Sequence, residues 1–94
     1  MDETRLKRLR FRAWRRGFRE ADLILGPFAD RHASSLSEAQ VTAFEALLEQ
    51  PDPELYDWIV ERADPPAALD TDVLAMIRAF RHEARLARQD DLGG

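Results

Sequence analysis

Ninety-four residues make room for one domain, and the absence of cysteine removes disulfides, thiolate metal sites and thiol nucleophiles from consideration. Apolar residues supply 45% and charged residues 34% of the chain, too apolar a balance for a disordered segment, while no apolar run is long enough to cross a bilayer. The net charge of −4 conceals an asymmetry: residues 1–20 hold eight basic against three acidic side chains, a local +5, and the rest of the chain carries −9.

Strand signals are sparse, with three valines, three isoleucines and three threonines that never alternate. Leu6, Leu9 and Ala13 predict a first helix over residues 4–14, with Trp14 near its end and Gly17 closing it. A second helix is predicted from about Phe18 to Arg31, with Ala21, Ile24, Leu25 and Phe28 on one face. Gly26-Pro27 interrupts it and predicts a kink or a shortened helix. Ser37 is an N-cap with Gln40 three residues on, as in a capping box, and Val41, Phe44 and Leu48 continue a third helix to about Gln50. Asp52-Pro53 predicts a fourth start, with the Asp52 carboxylate as cap. Its stripe is Leu55, Trp58 and Ile59, with Tyr56, Asp57 and Glu61 on the wet side and Asp64-Pro65-Pro66 as the stop. Asp70 or Thr71 caps the last helix. Val73, Leu74, Ile77, Phe80 and Ala84 form its apolar face, Arg78, Arg81, Arg85 and Arg88 its other side, and residues 89–94 a flexible tail. The expected fold is all-α: a compact five-helix antiparallel bundle forming a single domain over residues 1–94.

The inventory for catalysis is thin. His32 and His82 stand far apart in sequence, each beside arginine, without metal-ligand spacing, and read as surface or half-buried residues. Ser34, Ser35 and Ser37 carry capping chemistry, and the glycines at 17, 26, 93 and 94 form no phosphate loop. No enzyme activity, metal or stably bound cofactor is expected. The basic N-terminus with Phe11, Trp14 and Phe18 has the composition of a phosphate-backbone binder, but the pI of about 5.1 and the acidic remainder oppose a polyanion, so no nucleic-acid partner is expected. Arginine richness also resembles a transit peptide. Asp2 and Glu3 argue against one, so the N-terminus reads as mature sequence, without a targeting segment, in a cytoplasmic bacterial protein.

The junction between the first two helices, Arg15-Arg16-Gly17-Phe18-Arg19-Glu20-Ala21-Asp22, holds the candidate binding residues. One account is purely structural: Gly17 reaches positive φ, Glu20 opposes the dipole of helix two, and Arg16 is solvated. The other is a protein-binding surface, with Arg16 and Glu20 making charge-assisted hydrogen bonds to a partner. Gly17 would then allow close backbone approach, while Arg15, Arg19 and Asp22 set register and encounter rate. An antitoxin-like or other regulatory protein-binding module has the same small, charged, helical character.

Three blocks carry a family resemblance: Arg15 to Phe28 with its Arg16-Gly17-x-x-Glu20 group, Leu36-Ser37 followed by Phe44-Glu45-Ala46-Leu47-Leu48-Glu49, and Asp52 to Ile59 with its Asp-x-x-Leu-x-x-Trp pattern. In these the chain resembles the SdhE family, the small assembly factors that promote covalent attachment of FAD to the flavoprotein subunit of succinate dehydrogenase. Many members have Met where Phe18 stands and Leu where Ala21 stands. The resemblance implies a five-helix bundle that binds this subunit, and by extension that of the related fumarate reductase; apolar residues around the junction leave a monomer or weak dimer as the expected state. It implies a helper without a stably bound cofactor that acts on FAD attachment in the partner, with the bond to the flavin made inside the partner.

Overall fold

The computed structural model describes the backbone of residues 2–93 and the side chains of residues 2–84. Five α-helices run in order, α1 Glu3–Trp14, α2 Arg19–His32, α3 Glu38–Leu48, α4 Asp52–Ile59 and α5 Asp72–Gly93, with single 3-10 turns at Ala33–Ser35 and Ala67–Leu69. There is no strand among the described residues. The side chains of Arg85 and Arg88, and those of the expected tail over residues 89–94, lie outside the described ones.

Each helix buries the stripe that its spacing dictates. Leu6, Leu9 and Ala13 of α1, Ala21, Leu25 and Phe28 of α2, Val41, Phe44 and Leu47 of α3, Leu55, Trp58 and Ile59 of α4, and Val73, Leu74 and Ile77 of α5 make one core. Phe28 sits at its centre, edge-to-face with Phe44 at 5.5 Å and with Phe80 at 5.7 Å between ring centroids. His32 is half-buried against Phe28 and Phe80, and His82 is exposed.

α1 packs chiefly on α2, which also lies against α4 and α5, while α3 rests on α1 and α5. The α1–α2 contact needs Gly26: the Trp14 ring lies across it so closely that a Cβ there would fall 2.2 Å from the indole. The Trp14 Nε1–H then donates to Asp30 Oδ2 at 3.0 Å.

The helix ends partly depart from expectation. Ser37 and Gln40 do form a reciprocal capping box. Pro27, in contrast, does not shorten α2, which is assigned without a break to His32. The Leu23 carbonyl loses one donor while Leu25, Phe28 and Ala29 keep the next turn buried. Asp52 is not the cap of α4. Pro51 occupies that position, Asp52 is the first helical residue, and its carboxylate has a distant partner described below.

α4 also stops at Ile59, well before the prolines. Glu61 adopts φ 63°, its N–H donates to the Trp58 carbonyl and the Arg62 N–H to the Asp57 carbonyl, the pattern of a Schellman ending without its usual glycine. Arg78, expected on the wet side of α5, is half-buried and donates from Nε to the same Trp58 carbonyl at 2.8 Å. Tyr56 is likewise half-buried, in edge contact with Phe18 at 5.2 Å. Thr71 precedes α5 and its carbonyl accepts from Ala75, but its buried hydroxyl has no partner among the described residues, so it gives no side-chain cap.

Candidate docking site at the first helix junction

Four residues carry the chain from α1 to α2. Arg15 ends α1, Gly17 turns the backbone at φ +83°, and Phe18 starts α2 without a side-chain cap. The place of that cap is taken by acidic residues in the first turn of α2, Glu20 and Asp22, where the helix dipole favours negative charge. Asp22 is half-buried and accepts the Arg16 backbone N–H at 3.2 Å, which fixes the bend from inside.

Arg16 is turned inward. Its side chain is only 8% exposed. Nε donates to Asp52 Oδ1 at 2.6 Å, Nη2 to the Gln50 carbonyl at 2.5 Å, and Nη1 to the Leu48 carbonyl. A guanidinium is suited to this place because its planar fork reaches several acceptors at once. The Leu48 carbonyl closes α3, whose C-terminal end attracts a cation, the Gln50 carbonyl lies in the turn that follows, and Asp52 opens α4, whose N-terminus attracts an anion. One side chain therefore joins the α1–α2 bend to the α3–α4 bend. The expectation that Arg16 is either solvated or extended toward a partner is corrected by these contacts: burial demands pairing, and the pairing is internal.

Four of the junction residues face outward. Arg15, Gly17, Arg19 and Glu20 are exposed, and a Cβ built on Gly17 would meet nothing within 4 Å. No hydrogen bond or ion pair engages the Arg15, Arg19 or Glu20 side chain among the described residues, although the Arg15 guanidinium lies 4.9 Å from the centre of the Phe11 ring.

Two hollows flank this surface. The first, about 380 Å³, is lined by Phe11, Arg12, Arg15 and the α3–α4 turn. The second, about 290 Å³, runs beside Glu20 over Leu23, Ile24, Tyr56, Phe80 and Arg81. Phe11 and Leu23, 59% and 57% exposed, are the surface residues that the junction motif alone does not point to. Their signal was available: each is apolar yet out of phase with the buried stripe of its own helix.

A second ion pair ties α1 to α3. Arg5 donates from Nε and Nη2 to the two oxygens of Glu45, at 3.1 and 2.7 Å. This hydrogen bond holds the Glu45 carboxyl below its ordinary range and raises the Arg5 guanidinium above its own. Among the described residues no cluster of His, Asp and Glu is placed to hold a metal, and no helix is long and apolar enough to cross a membrane.

A family model described as flavinator of succinate dehydrogenase matches residues 7–81. The FAD assembly factor SdhE of Ralstonia nicotianae is 42% identical over 82 residues, covering 83% of this chain and 85% of that protein. That of Acetobacter pasteurianus is 37% identical over 85 residues, covering 90% and 75%. The mitochondrial succinate dehydrogenase assembly factor 2 of Dictyostelium discoideum is 38% identical over 72 residues, which are 77% of this chain but only 51% of that relative's length. The chain belongs to the flavinator of succinate dehydrogenase family.

Proposed function

We propose that this protein is an assembly factor that binds the flavoprotein subunit of succinate dehydrogenase and promotes covalent attachment of FAD to it. The observation that carries the reading is the outward Gly17 bend, bare of side chain and bordered by free Arg15, Arg19 and Glu20, in a member of this family. Gly17 admits the partner's backbone, Glu20 accepts hydrogen bonds, and Arg15 and Arg19 set register. Arg16 and Asp22 serve the same surface from behind by holding its shape. The protein acts without catalysing the bond itself. It binds the productive conformation of its partner more tightly than the others, and about 2.7 kcal/mol of such preference enriches that conformation 100-fold. The flavoprotein of fumarate reductase is a second client on the same chemistry, and the site of action is the cytoplasm.

Recombinant flavoprotein subunit incubated with FAD, with or without this protein, tests the reading by in-gel flavin fluorescence after denaturation. Covalent flavin should rise when the protein is added, and equal signals would overturn the proposal. Glu20→Ala removes an exposed carboxylate with no internal hydrogen bond, so it should lose the stimulation while the melting temperature falls by only a few degrees, the share of its favourable place at the α2 N-terminus.

A further inference from the structure

Resting on the proposed client, the geometry points to a second contact zone: the outer face of α1 docks on an acidic surface of the flavoprotein subunit, with Phe11 as its apolar anchor. Eight basic residues crowd the first nineteen positions, and the structure sorts them by use. Arg5 and Arg16 are internal ties, to Glu45 and Asp52, and Arg19 borders the Gly17 bend. Lys7, Arg8, Arg10, Arg12 and Arg15 form no ion pair with the described residues, and all are exposed or half-exposed.

At about 100° per residue, Phe11 lies opposite buried Leu6, Leu9 and Ala13, with Lys7 and Arg8 on either side of it and Arg10 and Arg12 at the flanks; Arg15 follows just past the helix end, its guanidinium 4.9 Å from the centre of the Phe11 ring. Five unpaired cations around one apolar ring, on a molecule whose other residues carry −9, present a single face to negative charge. The face is continuous with the junction, because Arg15 belongs to both. Its occupant is accordingly an acidic rim around a shallow apolar recess on the client already engaged by Gly17 and Glu20. Such a zone acts on encounter and affinity, whereas the bend acts on the partner's conformation, so the two are separable.

The test measures covalent flavin against the concentration of full-length protein, and association with the flavoprotein subunit by biolayer interferometry at low and high salt. Lys7→Glu/Arg8→Glu should raise the half-saturating concentration about tenfold or more and leave the maximal flavin yield unchanged. Phe11→Ala should chiefly speed dissociation. For wild type, raising salt from about 50 to about 500 mM should slow association by about tenfold, because exposed charges are screened within a few ångströms at the higher value. The neutral pair Lys7→Gln/Arg8→Gln, with a weaker salt response, serves if charge reversal impairs folding.

Variants that match wild type in concentration and salt dependence, while flavin attachment is still stimulated, would overturn this inference and leave the proposed function standing. Absence of both stimulation and binding by wild type would overturn the two together. A loss seen only on phosphatidylglycerol vesicles or duplex DNA, with client binding intact, would also overturn it.

Discussion

Arg16 decides whether the bend exists in the form described. Removing its side chain leaves the half-buried Asp52 carboxylate and two helix-end carbonyls without their donor. Because the Asp52 carboxylate keeps partial contact with solvent, losing these charge-assisted hydrogen bonds costs about 1.5–3 kcal/mol, still a large share of a total stability of roughly 5–10 kcal/mol for so small a domain. Arg16→Ala should therefore lower the melting temperature by about 10 °C or more. Arg16→Lys should recover little of this, since an ammonium gathers its three donors on one nitrogen and cannot span the acceptors that Nε, Nη1 and Nη2 reach separately. A double-mutant cycle with Asp52→Ala should give a coupling of about 1–3 kcal/mol by chemical denaturation. Additive effects would show that the two residues act independently. Loss of function in an Arg16 variant is consequently evidence about shape, whereas loss in a Glu20 variant is evidence about contact.

At the level of the helices, local chemistry was legible wherever a cap or a stripe is made by neighbours in sequence. Ser37 and Gln40 announced the start of α3, and the apolar spacing of all five helices was readable before the structure. Asp52 was misread because its partner is 36 residues away, and no local pattern reports that Arg16 will claim its carboxylate. The outward position of Glu20 and the positive φ of Gly17 were anticipated, but the inward turn of Arg16 was not, since it depends on where the end of α3 comes to rest.

The ending of α4 was missed for a related reason, because glutamate at a left-handed position carries none of the signal that glycine would. That conformation costs an L-residue about 1–2 kcal/mol, so Glu61→Gly should raise stability by about 1 kcal/mol, measured by urea unfolding. An unchanged or lower midpoint would mean that the side chain contributes more than the backbone strain removes.

For the molecule as a whole, acid is the condition that tests the tie between α1 and α3. Because the Arg5 hydrogen bond depresses the Glu45 pKa in the folded state, its stabilisation is fully present above the unfolded value of 4.5 and is lost as pH falls through the lower folded value. Denaturation curves should show Glu45→Gln less stable than wild type at neutral pH. The gap should close as the medium is acidified below the unfolded value and through the lower folded one. A gap that persists in strong acid would assign the difference to packing and not to ionisation.

The fork of Arg16 spans the bends on either side of α2 and α3, so residues 15–22 owe their arrangement to residues 48–52. A peptide of the first two helices, or the same octet transplanted into another helical hairpin, would carry the letters of the motif without its form. During synthesis the bend likewise stays unfinished until the start of the fourth helix has left the ribosome.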